Sequence, residues 1–264
     1  MLESLLEAGW SYHDAQSERL ASELEAAADA AVAPGLLSRF LHLSNHTIGE
    51  HLGDWPRARR LAERTLAGRT ASGETATAWA RLCVARFLAG EPVLALAAEI
   101  DALRAARDGP LATLIETRFM LIAALVGSGR AGEAAALYDG ALALARQAGN
   151  AAPARAIAAA SNNLAAELVE AKTRSAAEDA LMAAASDAAH EFWLRCGDWV
   201  NEEKALYLKA LVANALGKSK AALAHADAAL AIIEANGPRP SDAALLRLER
   251  AKALQTLDGG RATA

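Results

Sequence analysis

Four times along the chain, a short turn signature falls between two Ala/Leu-rich stretches of helical length. The turns read Gly53-Asp54-Trp55-Pro56-Arg57-Ala58, Gly90-Glu91-Pro92-Val93-Leu94-Ala95, Gly129-Arg130-Ala131-Gly132-Glu133-Ala134 and Gly217-Lys218-Ser219-Lys220-Ala221-Ala222. The glycines are 37 residues apart from 53 to 90, 39 from 90 to 129 and 88 from 129 to 217, the last interval holding two periods of 44 with one degenerate unit inside. Self-similarity at this period is the mark of a helical-hairpin array. A single hairpin cannot bury its own apolar face, so the units must stack, and the spacing predicts an all-α solenoid whose working surface is its concave side.

Composition agrees with that reading and narrows the partners. Alanine and leucine dominate while Val, Ile and Thr are sparse, a balance that favours helix over strand throughout. Only 5% of the 264 residues are aromatic, which suits helices packed closely through Ala-lined seams. The formal charge is −5 with cations and anions interspersed, so no basic stripe offers itself to nucleic acid. Cys83 and Cys196 fall in different repeats and read as reduced thiols, which fits a cytoplasmic protein. The first residues, Met1-Leu2-Glu3-Ser4-Leu5-Leu6-Glu7, carry acid where a signal peptide needs base, and no apolar run reaches the ~20 residues of a membrane span.

Gly and Pro breakers place the hairpins at 36–52 with 55–67, 74–89 with 92–107, 111–127 with 131–148, 152–170 with 174–195, and 199–216 with 219–235. One or two helices over 2–33 precede the array and a last helix over 241–257 closes it, about twelve helices in a single domain spanning 1–264. In 131–145, Ala131, Ala134, Ala135, Tyr138, Ala141, Leu142 and Ala145 trace one buried stripe.

These residues resemble the tetratricopeptide repeat, a helix-turn-helix unit with a large apolar residue and Leu on its first helix, Gly at the turn, then Ala, an aromatic and Ala on its second. Leu121, Leu125, Gly129, Ala134, Tyr138 and Ala141 fall at that spacing. The second unit supplies Trp79, Leu82, Gly90, Ala95 and Ala102 but puts Glu99 where the aromatic belongs, and the fifth supplies Gly217, Ala222, Ala226 and Ala229. The first has Asn45 and His46 in place of Leu and Gly, and the fourth keeps only the phase, through Leu164, Ala176, Ala180 and Ala183. The resemblance covers about 36–235 and implies a right-handed superhelix that binds a protein or peptide partner, with no chemistry and no cofactor. Some members of the family clamp a peptide carboxylate with Lys, Asn and Arg on first helices; Leu43 and Thr47 occupy such positions here, so that clamp is missing.

Candidate groove residues on the expected first helices are Glu50, His51, Arg86, Arg118, Asn162, Asn163, Glu167 and Asn214, with the Asn amides able to pair with an extended backbone. An alternative site is metallic. His42, His46 and Glu50 share one α-helical face at i, i+4, i+8, and His13, beside Asp14, or His51 could add a ligand. The simpler account of that cluster is a polar groove face with Glu50 bonded to His46. Phe192, Trp193 and Trp199 lie close in sequence and form either a pocket or core filling. No phosphate loop, nucleophile elbow or HExxH is present, so an enzyme is not expected. Ala243, Leu246, Leu248 and Leu254 on the last helix leave room for a homodimer.

Overall fold

A computed structural model of the chain describes residues 2–28, 32–107 and 109–262. Among these residues the fold is all-α: thirteen helices, 83% of the chain helical, no strands. The chain divides into two compact units, 1–152 and 153–264.

In the first unit, α1 (Leu2–Ala8) and a 3-10 turn at Gly9–Ser11 lead to α2 (Ser17–Ala28), which accounts for the expected N-terminal segment apart from 29–31, outside the described residues. Then come α3 (Leu37–Ser44), running on as a π-helical segment over Asn45–His51, α4 (Trp55–Leu66), α5 (Ala76–Leu88), α6 (Pro92–Ala105), α7 (Pro110–Gly127) and α8 (Ala131–Ala148). The second unit holds α9 (Ala154–Glu170), α10 (Ala176–Cys196), α11 (Trp199–Ala215), α12 (Ser219–Asn236) and α13 (Pro240–Ala262). The expected helices therefore stand within a few residues of their places, except that the last extends to 262.

The turns form because the repeated glycine meets a specific backbone demand. At the end of α5 the Glu91 N–H donates to the Arg86 carbonyl at 2.9 Å and the Gly90 N–H to that of Phe87 at 3.1 Å, the paired bonds that close a helix with a left-handed residue. Gly90 accordingly has φ +85, which a side chain would resist. The same pair recurs from Arg130 and Gly129 to Leu125 and Val126, and from Lys218 and Gly217 to Ala213 and Asn214. Pro92 then starts α6, where its missing N–H costs nothing.

Packing is mostly between neighbours in sequence. Within the first unit α5 packs on α6 and α7 on α8, while the first helices α3, α5 and α7 contact one another in turn. Within the second, α9 packs on α10, α10 on α11, α11 on α12, and α13 on both α11 and α12. This is the contact pattern of stacked hairpins. The seams are lined by buried alanines, Ala95, Ala98 and Ala102 on α6, Ala134, Ala141 and Ala145 on α8, and Ala222, Ala226 and Ala229 on α12. Small side chains there let helix axes approach, and Tyr138, fully buried, fills the wider part of its seam edge-on to Phe119, with ring centroids 5.6 Å apart.

Among the described residues, α7 is long and apolar enough to cross a membrane by length and composition, with a mean hydropathy of 1.5. In this fold it is an internal helix, contacting α5, α6 and α8 through buried Ile115, Phe119, Leu121, Ile122 and Leu125. On α13, Ala243 and Leu246 are buried against α11 and α12, whereas Leu245 and Leu248 stay exposed.

Candidate functional site

The principal cluster of chemistry-bearing side chains lies in the first unit, where the turn after α1 meets the π-helical segment. His13 comes from the turn; His46 and His51 come from Asn45–His51. One ring nitrogen from each lies within 4.8 Å of the others, and the mutually close ligand atoms among the described residues are these three alone. His46 Nε2 is 3.0 Å from His51 Nε2. Asp14 Oδ1 touches the cluster from its exposed side, 3.3 Å from His51 Nε2 and 3.5 Å from His13 Nε2.

The π helix explains why His51 joins His46. Its hydrogen bonds run from residue i to i+5, so residues five apart stand over one another, and 46 and 51 come onto one side. Gly49 permits the same segment to meet α4 closely: a Cβ there would sit 2.5 Å from the Trp55 ring, itself buried and donating from Nε1 to Ser128 Oγ at 3.0 Å.

The other ring nitrogens are already engaged. His13 Nδ1 donates to the Trp10 carbonyl at 2.8 Å, since a carbonyl can only accept, and His46 Nδ1 donates to Glu50 Oε2 at 2.5 Å. With the Nδ1 proton given to these acceptors, the Nε2 of a neutral His13 or His46 can only accept, and His46 Nε2 takes a hydrogen bond from His51 Nε2. A carboxylate or carbonyl behind an imidazole is the usual support for a metal-ligating histidine. Trp10 covers the assembly, its ring 5.2 Å from that of His46 and 5.3 Å from that of His13. Burial first, and then the neighbouring His46, lowers the pKa of His51 below the ordinary histidine value.

The placement alters the expected ligand set. His42 is not among the three: burial, then Arg81, then His46, pushes its pKa down to about 3, and its ring packs against Trp10 at 5.1 Å. Glu50 stands behind His46 rather than beside it as a ligand. Trp10 was not singled out from the sequence, although an aromatic three residues before His13 was the available signal.

Among the residues expected to line a groove, the two arginines of the first unit are engaged in ion pairs. Arg86 donates to Glu63 at 3.0 Å and to the Leu94 carbonyl at 3.1 Å. Arg118 donates to buried Glu99 at 2.9 Å, an ion pair between α7 and α6. In the second unit Asn162 is half-buried and Asn163 exposed on α9, which also carries Glu167. Asn214 is tied to α13, its amide donating to the Glu249 carbonyl at 2.9 Å and carboxylate at 2.8 Å. The aromatic triplet disperses: Phe192 is core, Trp193 lies under Arg155 at 5.5 Å, and Trp199 packs on the cluster around Leu206 and Leu246. Cys83 is buried, and that burial pushes its thiol up to about 12, while Cys196 is half-buried; both are free.

No known protein family matches the chain, and no curated protein matches it in sequence.

Proposed function

We propose that the chain is a helical-repeat protein that binds a divalent transition metal, zinc above all, through His13, His46 and His51. The observation that carries this reading is the convergence of three imidazole nitrogens within 4.8 Å, two of them on rings whose Nδ1 is held by a hydrogen bond from behind. A tetrahedral zinc with bonds near 2.05 Å has ligand atoms about 3.3 Å apart, close to the 3.0 Å between His46 Nε2 and His51 Nε2. Imidazole donors favour zinc, copper and nickel over magnesium or calcium. Glu50 and the Trp10 carbonyl orient the ligands.

The test is metal analysis of tag-free protein after zinc loading and dialysis. About one equivalent is expected, with a raised melting temperature because binding to the folded state alone stabilises it. His46→Ala should abolish both, while His225→Gln, far along the chain in the second unit, should keep both. Less than about a tenth of an equivalent, with no shift in melting, would remove the reading.

A second reading concerns the scaffold. We take the hairpins to wind as a right-handed, tetratricopeptide-like superhelix that holds a protein or peptide partner, supported by the recurring glycine turns and the neighbour-to-neighbour packing. Val93, Leu94, Leu96 and Ile100 favour a protein partner, because all four are exposed on one helix, α6. Val93→Asp with Leu96→Asp should abolish capture of a partner in pull-downs from native extract; capture at full strength would show that α6 is not the face used.

A further inference from the structure

We infer that the ion at His13, His46 and His51 keeps an exchangeable fourth position, which takes water or a small anion, and that Asp14 acts on that fourth group rather than on the metal. This rests on the metal reading above and adds the class of ligand. Three imidazoles supply three corners of a tetrahedron. Among the described residues no carboxylate or thiolate lies within the same 4.8 Å of all three; Asp14 comes within 3.5 Å of His13 and His51 but does not complete the set.

The two nearby acids have other positions. Glu50 is held by His46 Nδ1, on the far side of that ring from the converging Nε2 atoms. Asp14 reaches His13 and His51 but does not join the mutually close set, and its side chain is 74% exposed. An acid standing at the rim beside two ligands is placed to accept a hydrogen bond from a water bound at the open corner. The same corner is accessible, since His51 is exposed and Trp10 is 40% exposed where it leans over the rings. Three imidazole ligands bring no charge of their own to the cation, and its charge draws an anion to the open corner. An open position with three protein ligands is the arrangement that lets a site exchange water for another ligand, whereas a closed site holds its ion for structure alone.

The experiment uses the full chain loaded with cobalt(II), whose visible absorption reports coordination, and azide as the probe anion. With one cobalt bound, azide should change the visible spectrum saturably and with one-to-one stoichiometry. Asp14→Asn should bind cobalt as well as the native chain and take azide several-fold more tightly, because a repelling carboxylate has been removed from beside the anion. Cobalt bound with a spectrum that azide leaves unchanged would overturn the inference while leaving the metal reading standing. If Asp14→Asn then became sensitive to azide, Asp14 would be identified as the fourth ligand. Failure of cobalt to bind at all would overturn both readings.

Discussion

Tyr138→Ala should lower the stability of the 1–152 unit by about 3–5 kcal/mol, the range for truncating a large, fully buried aromatic. The phenol ring has no exposed surface and stands edge-on to Phe119, itself 6% exposed. What makes the site unforgiving is its surroundings. Its neighbours along the buried stripe of α8 are Ala134, Ala141, Leu142 and Ala145, and the three alanines have no rotatable side chain to swing into the space. A cavity lined by such residues collapses little, and the cost rises with the volume left empty. Two compact units need not melt together, so urea denaturation is expected to show the loss in one transition only. Tyr138→Phe, keeping the ring, should cost far less. A loss below about 1 kcal/mol for the alanine variant would mean that the seam is held elsewhere.

That seam also shows why so much of the fold is legible in the sequence. The turns are announced by residues with few alternatives: a glycine whose backbone must go left-handed, and a proline that can only begin a helix. The buried stripe is announced by alanine at three- and four-residue spacing, and those alanines are the ones buried on α6, α8 and α12. Charged and polar residues on these helices are less legible. Glu99 is buried and is held by Arg118 of the following helix. Arg118, a candidate groove residue from the sequence, is thus ion-paired within the fold. Asn214 is a second case, its amide joining α11 to α13. Sequence gives the face of a helix on which such a side chain lies, but which neighbour reaches it depends on stacking.

The site was harder to read than the fold for a specific geometric reason. Spacing arguments on a helix assume 3.6 residues per turn, under which 42, 46 and 50 form a row. The chain instead widens to a π helix from Asn45 to His51, so that 51 as well as 50 comes beside 46. Nothing in Asn45-His46-Thr47-Ile48-Gly49-Glu50-His51 announces that change, which accompanies the close seating of the Trp55 ring on Gly49. His13 was visible as a partner because it sits beside Asp14, but its meeting with residues more than thirty positions away required the fold.

Glu203→Gln should make the second unit more stable than the native chain at about pH 8, by roughly 2–3 kcal/mol, with the difference vanishing on acidification towards pH 4.5. Glu203 lies on α11 with no exposed side-chain surface, in a small cleft shared with Lys204, Tyr207, Asp242 and Leu245. As two carboxylates, Glu203 and Asp242 have no proton between them, and both oxygens of Glu203 are left without a hydrogen bond. With one proton on Glu203 its O–H can donate to Asp242, which stays ionised against Arg239. Burial, reinforced by Asp242, pushes the Glu203 carboxyl up to about 7 from its ordinary 4.5, against the pull of Arg239 and Lys204. The folded chain thus holds a proton between 4.5 and 7 that the unfolded chain has released. Stability tied to it is complete below the unfolded value, falls as pH rises through that window, and stays lost above it. A glutamine cannot ionise, yet its amide can still donate to Asp242, so it keeps the favourable form at every pH. Denaturant titrations of both proteins across this range decide the matter. If the variant is the less stable at high pH, or follows the native chain's slope, then Glu203 is ionised in the fold and Arg239, 3.5 Å from its Oε1, is what holds it.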